Sequence, residues 1–206
     1  MACAASSGRS RLAAAYYRAS SVRQGKPQVS KARPARRGVV RVRRARAGDL
    51  DQYARNVQSV ADEGRYIFTE QVSDERKKSM GKLFKDKGCL VIVAEVGSGR
   101  ERKIVASLTL ERYGHVEKSK HVRVLGMLVV DGYRGMGVGT KLMDYAVRWA
   151  RAEKGVEKVS LGVFSSNQRA LRLYEKFGFK VEGVRKRHYY IAGKPEDEID
   201  MALFVK

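Results

Sequence analysis

Apolar and polar positions alternate in two different rhythms along this chain. Near the start of the patterned region, Val39-Val40-Arg41-Val42-Arg43 has the β-branched alternation of a strand near a sheet edge. Tyr53, Val57 and Val60 then recur at helical spacing within Leu50 to Glu63, with Asp49 as the expected N-cap or first-turn acid. A second helix is predicted from Ser73 to Phe84, because Ser73-Asp74-Glu75 supplies an acceptor and two acids at its start. The loop between the two helices runs from Gly64 to Glu70. Three strands follow, Cys89 to Val96, Lys103 to Tyr113 and His121 to Val130, the first two linked by the polar, Gly-rich segment 97–102. The second half of the third is nearly all apolar, which predicts burial on both faces.

Helical spacing returns with Val138, Leu142, Tyr145, Ala146, Trp149 and Ala150. Val156 to Phe164 reads as another strand. Ala170, Leu171, Tyr174 and Phe177 mark a shorter helix ended by Gly178. Strands Lys180–Ile191 and Glu198–Val205 close the pattern, joined by a turn at Ala192-Gly193-Lys194-Pro195. The order β-α-α-β-β-β-α-β-α-β-β predicts an α/β (α+β) fold, a mixed, mostly antiparallel sheet flanked by helices.

Charge divides the chain in two. Of its 43 Lys and Arg residues, 13 precede Asp49, and no Asp or Glu does. The net charge of +21 therefore splits into +13 before Asp49 and +8 after it. Residues 1–38 are also rich in Ala and Ser and too poor in apolar residues to build a core. They read as a disordered basic leader, and three explanations stay open: an organelle transit peptide, a solvated basic tail, or an extension from an over-called start codon. Residues 39–206 read as one domain. The longest strongly apolar run, Leu90 to Ala94, is far below the ~20 residues that cross a bilayer. Two cysteines, Cys3 and Cys89, are too few for a disulfide framework or a cysteine zinc site. A soluble, intracellular protein is expected, cytoplasmic if prokaryotic, in a plastid or mitochondrion if the leader is a transit peptide.

The segment richest in chemistry is Val129-Val130-Asp131-Gly132-Tyr133-Arg134-Gly135-Met136-Gly137-Val138-Gly139-Thr140, at a strand-to-helix junction. Three alternating glycines there let bare N–H groups approach a ligand, and a helix N-terminus favours anions. The spacing is neither GxxxxGK[ST] of a nucleoside-triphosphate loop nor GxGxxG of a dinucleotide turn. A phosphate cradle of another kind is expected.

Arg134-x-x-Gly137-x-Gly139 at such a junction resembles the acyl-CoA pyrophosphate motif of the GNAT superfamily of N-acetyltransferases. Val163 to Phe179 resembles that family's strand–helix signature, including Asn167, Ala170, Tyr174 and the ending Tyr-Glu-Lys-Phe-Gly-Phe. Val42-Arg43-Arg44-Ala45-x-x-x-Asp49 resembles its first strand and turn. The resemblance covers residues 39–206, and His121-Val122 running into Leu125-Gly126-Met127 resembles the branch of small-molecule and amino-acid acetyltransferases. Asp131-Gly132-Tyr133 departs from the pattern in being one residue short.

The resemblance implies direct transfer of an acetyl group from acetyl-CoA, as co-substrate and without a metal, to a primary amine of a small molecule or amino acid. Arg134, Gly135, Met136, Gly137, Val138, Gly139 and Thr140 would receive the pyrophosphate. The backbone of Met127, Leu128 and Val129 would pair with the pantetheine arm, and Asn167 would touch that arm. Tyr174 matches the general acid. Glu70 and Glu111 are candidate bases, with His115 and His121 flanking the next turn. A protein N-terminal or lysine acetyltransferase is the alternative. A basic nucleic-acid- or surface-binding protein on a CoA-binding scaffold is the second, to which the basic leader and the run Lys176, Lys180, Arg185, Lys186, Arg187 and His188 would contribute; nucleic acid is not expected as the main ligand, nor a membrane. A homodimer fits the fold class.

Overall fold

The computed structural model describes residues 40–114 and 117–206. The basic leader and His115 lie outside the described residues. The elements are β1 (Arg41–Arg44), α1 (Leu50–Ala61), α2 (Asp74–Leu83), β2 (Leu90–Val96), β3 (Lys103–Arg112), β4 (Val122–Val129), α3 (Val138–Ala152), β5 (Lys158–Phe164), α4 (Gln168–Lys176), β6 (Lys180–Ile191) and β7 (Lys194–Phe204). All seven strands form one sheet in the order β1-β2-β3-β4-β5-β7-β6. Every neighbouring pair is antiparallel except β4 and β5.

Helices cover both faces. On one, Leu90, Ile92, Leu108 and Leu110 pack against Leu142, Met143 and Ala146 of α3, and the same core runs on to Leu171 and Tyr174 of α4. On the other, Val91, Val93, Ile104 and Leu128 meet Tyr53, Val57 and Val60 of α1 and Met80 of α2. β2 is therefore buried on both faces, which is why Leu90 to Ala94 form an unbroken apolar run, ended by Glu95, which pairs with Arg43. Asn56 fixes α1 to the sheet through a buried hydrogen bond from its side-chain amide to the Ile104 carbonyl at 2.9 Å.

Several local expectations change. Ser73 caps α2 as predicted, its Oγ accepting from the Arg76 amide at 3.2 Å. Asp49 stands at the N-cap of α1, but its side chain makes no capping hydrogen bond to that helix. Its carboxylate accepts two hydrogen bonds from Arg43, at 2.7 and 2.9 Å, and one from the Arg46 amide at 2.7 Å. Arg43 also reaches Glu95 at 2.9 Å, so β1 is tied to both β2 and the start of α1. These donors hold the Asp49 carboxyl below the ordinary carboxylate range, led by the hydrogen bonds from Arg43. Because the folded value is depressed, the stabilisation is present above about pH 4 and is lost as pH falls through the folded value. Asp49→Asn is thus expected to cost about 1–2 kcal/mol at pH 7, with the gap from wild type closing in acid. Urea unfolding at pH 7 and pH 3 checks this; an equal gap at both would refute it.

The last strand begins at Lys194 rather than Glu198. Ala192 and Gly193 both take positive φ, 49° and 73°, and make a two-residue hairpin turn that pairs Ile191 with Lys194. Pro195 is tolerated because it sits beside this turn. β4 is the other exception: Gly126 is exposed and Met127 and Val129 are only half-buried, so its second half is not covered on both faces.

Candidate active site

The opening in β4 has a simple cause. β4 and β5 pair through only three positions, Val122↔Lys158, Arg123↔Val159 and Val124↔Ser160. Beyond them the register ends, while β3 still pairs with β4 and β7 with β5. Two parallel strands thus part in the middle of the sheet and leave one edge of β4 without a strand partner.

Ladder alternation decides which groups face that gap. The Val130 amide donates to Val105 and the Tyr113 amide to Val122, so the even-numbered residues of β4 bond to β3. Leu125, Met127 and Val129 therefore turn their main-chain groups toward β5. Leu128 does not: its main chain bonds to β3 and its side chain is buried against α1. The expected Met127–Leu128–Val129 edge is in fact Leu125, Met127 and Val129, because period-two alternation can offer only every second residue. Among these, the Val129 carbonyl is already taken by the Arg134 Nε–H at 2.8 Å.

At the end of β4 the chain turns into α3. Gly135 and Gly137 both have φ of +79°, and a Cβ at either would meet nothing within 4 Å. Their need for glycine is conformational. Gly137 is the N-cap of α3 in the left-handed region. Gly139 is glycine for a different reason: a Cβ there would come 3.1 Å from Leu173 Cδ2 and 3.8 Å from Met127. It lets α3 approach α4 and β4. The amides of Val138, Gly139 and Thr140 form the first turn, where no intrahelical acceptor exists, at the positive end of a 15-residue helix. This cradle fits a diphosphate, and the free β4 edge beside it fits an amide-bearing arm. Met136 is exposed on the outside of the turn, and Val138 is buried beneath it.

Arg134 plays a different part from the one its motif implies. Its guanidinium makes two hydrogen bonds to the Glu63 carboxylate, one of them 2.7 Å, and lies 4.4 Å over the Tyr66 ring. With its Nε on Val129, it clamps the glycine turn to the end of α1. Burial opposes its charge, but the bonds and the charge of Glu63 outweigh that and raise its pKa.

Asn167 caps α4 by accepting from the Ala170 amide at 3.3 Å, which leaves its side-chain NH2 to offer. The loop before it is held by Glu196, whose Oε1 accepts from Ser165 Oγ at 2.6 Å and the Ser166 amide at 2.7 Å. Tyr174, one face further along α4, is 6% exposed and packs against Phe179. Burial pushes its phenol above the ordinary range, so it stays protonated at any physiological pH.

The candidate bases separate. Glu70 is solvent-exposed in the α1–α2 loop, its main-chain carbonyl accepting from Gln58 at 3.4 Å. Glu111 stands opposite Val124, where β4 and β5 begin to part, and accepts from Thr109 Oγ1 at 3.1 Å. The His121 main-chain carbonyl accepts from the amides of Glu157 and Lys158, which ties the start of β4 to β5. Cys89 is buried just before β2, and burial raises its thiol. Part of the basic run is internally neutralised, since Arg185 pairs with Glu198 and Asp200.

Glu63, Gly162 and Glu198 were not singled out by sequence reasoning, and Leu125 and Gly126 entered it only within a family resemblance, with no role of their own. Gly126 and Gly162 face the same side of the sheet, one on each side of the gap, as the registers Thr109↔Gly126 and Val124↔Ser160 require. The one available signal for Glu198 is the acid-rich stretch Glu196 to Asp200 continuing into an apolar strand.

Among the described residues no helix is long and apolar enough to cross a membrane, and no group of three His, Cys, Asp or Glu could hold a metal ion.

The chain is similar to several known proteins. Over 86 residues the chain is 36% identical to the N-alpha-acetyltransferase of Sulfurisphaera tokodaii, covering 42% of this chain and 46% of that protein. It is 28% identical to the spermidine N(1)-acetyltransferase of Escherichia coli over 109 residues, 50% of this chain and 59% of that one. The matches thus span about half the length of these curated relatives. Among solved structures, a GNAT-family acetyltransferase from Streptococcus pneumoniae superposes with a TM-score of 0.71 at 22% identity, over 82% of this chain and 100% of that one. A GNAT-superfamily phosphinothricin acetyltransferase from Sinorhizobium meliloti, in complex with AcCoA, gives 0.71 at 16% identity, over 80% and 88%. These two likenesses concern the fold. The family model described as the Acetyltransferase (GNAT) family matches residues 56–179, more than half of the chain, and the protein belongs to that family.

Proposed function

We propose that residues 39–206 form an acetyl-CoA-dependent N-acetyltransferase acting on a primary amine of a small molecule or amino acid. The observation that carries this reading is the free edge of β4 ending at a helix N-terminus whose cap is a left-handed glycine. The amides of Val138, Gly139 and Thr140 receive the diphosphate of the co-substrate. The outward groups of Leu125 and Met127 and the amide of Val129 pair with its pantetheine arm as an added strand would, and the Asn167 NH2 donates to it. An outward amide of β4 polarises the thioester carbonyl. The amine nitrogen attacks that carbon, the C–N bond forms and the C–S bond breaks. Tyr174 gives its proton to the leaving sulfur and regains one from the new amide nitrogen. An ammonium acceptor must first lose one further proton, which passes to a carboxylate or water and then to solvent.

A peptide α-amine is the second reading, favoured by the identity with the Sulfurisphaera tokodaii N-alpha-acetyltransferase. Thermal unfolding with and without acetyl-CoA tests the cofactor. At 100 times its dissociation constant it should add about 2.7 kcal/mol, and an unmoved melting temperature at large excess would reject the reading. Thiol release with phenethylamine, butylamine, spermidine, L-phenylalanine and the peptide Ala-Ala-Ala then separates the acceptor classes.

A further inference from the structure

Beside the gap between β4 and β5 lies a buried carboxylate that the transfer scheme above does not use. Glu198 of β7 is 5% exposed. It pairs with Phe164 in register, and its side chain leans over Gly162, its diagonal neighbour on β5. A Cβ at Gly162 would come 2.2 Å from Glu198 Oε1. The missing side chain is thus what lets the carboxylate lie across β5 toward the gap. Its two oxygens have different surroundings. Oε2 accepts from Arg185 Nη1 at 2.9 Å and has His188 Nε2 at 3.9 Å. Oε1 lies over the Gly162 backbone.

Three rings from three elements meet at the same place. Phe68 of the α1–α2 loop stands 4.7 Å from Phe164 and 5.1 Å from Tyr189, and Phe164 and Tyr189 are 5.3 Å apart, centroid to centroid. Phe68 would also lie 3.4 Å from a Gly162 Cβ, yet it remains 44% exposed. The Tyr189 hydroxyl is also within hydrogen-bonding reach of the Glu198 carboxylate, but a carboxylate buried among aromatic rings stays costly unless cations balance its charge. Arg185 supplies one on the Oε2 side, but it shares that charge with Asp200 at 3.1 Å. An ammonium at Oε1 would complete the balance, and the ring faces would add cation–π attraction.

We propose that Glu198 recognises the acceptor: Oε1 takes a hydrogen bond from the acceptor's primary ammonium, and Phe68, Phe164 and Tyr189 hold the apolar stem that carries it. The substrate class is a primary amine on an apolar stem. This rests on the acetyltransferase reading above.

The test measures steady-state kinetics for whichever of phenethylamine, butylamine, spermidine, L-phenylalanine and Ala-Ala-Ala the wild type acetylates fastest. Glu198→Gln should raise the KM for that amine at least tenfold and leave the KM for acetyl-CoA within twofold. Gly162→Ala should shift the amine KM in the same direction, because its methyl group displaces Oε1. If Glu198→Gln fails to fold, Gly162→Ala decides alone. An active wild type with an amine KM within twofold in the folded variants would overturn this assignment and leave the activity standing. A wild type that binds acetyl-CoA but acetylates none of the five amines would overturn both.

Discussion

Gly137→Val is expected to weaken acetyl-CoA binding about 100-fold, measured by isothermal titration with the intact chain. The residue has φ of +79° as the N-cap of α3. A β-branched side chain there carries a backbone penalty of about 1–3 kcal/mol. The chain can escape that strain only by rotating the turn, and rotation moves the amides of Val138, Gly139 and Thr140 off a common target. Charge-assisted hydrogen bonds of this kind are worth about 1.5–3 kcal/mol each, so losing one or two accounts for the expected change. The melting temperature should fall as well, since part of the strain stays in the folded state. Gly139→Ala is the informative contrast. Its new methyl meets the flexible end of Leu173 at 3.1 Å and the side chain of Met127 at 3.8 Å. A small repacking absorbs it, and affinity should change much less. Equal affinities for Gly137→Val and wild type would remove the cradle from the mechanism.

Tyr174→Phe should lower kcat by about 100-fold or more while the KM for acetyl-CoA and the melting temperature hold nearly steady. The ring is buried and packs against Phe179, and phenylalanine preserves that packing. Only the proton donor is lost. Burial raises the phenol's pKa, so the wild-type group remains an acid up to and beyond pH 10. The wild-type kcat should therefore show no fall assignable to Tyr174 anywhere between pH 6 and pH 9.5. A kcat unchanged by the substitution across that range would leave Tyr174 as a core aromatic, its neighbours at i−3 and i+3 being the apolar Leu171 and Phe177.

Arg134 shows how a motif and its structural use can differ. The motif suggests a charge pointing at phosphate. In the folded chain the guanidinium is occupied by Glu63, 71 residues earlier, and by the Val129 carbonyl. In the proposed function the attraction for the diphosphate comes from oriented amides and the helix end, with Arg134 holding the turn in place.

Most of the architecture is legible in contiguous residues. The helical spacing of Tyr53, Val57 and Val60, the cap at Ser73, the apolar run Leu90 to Ala94 and the glycine turn before Val138 each encode a local preference that the fold keeps. Eleven elements follow in the predicted order, because periodicity and turn chemistry act over a few residues and tertiary packing here agrees with them. The same local logic identifies Gly137, Asn167 and Tyr174, whose positions at a turn, a cap and an inward helix face are set by their neighbours.

Three features depend on the tertiary structure alone. Asp49 keeps the N-cap position of α1, but its carboxylate is taken by Arg43, from the preceding strand, and by the Arg46 amide in place of the helix amides. The usable edge of β4 is Leu125, Met127 and Val129 because pairing with β3 fixes the phase of the ladder, and a period-two pattern carries no phase of its own. Glu198 reaches the gap because β7 pairs with β5 in one register and position 162 on β5 lacks a side chain, and Phe68 arrives there from the other end of the chain. By itself, the sequence determined the elements, their order and the glycine turn before α3, since those arise from neighbours along the chain. Which carboxylate, which amides and which rings share one space was decided only by strand register and by the parting of β4 and β5, relations between residues far apart in sequence.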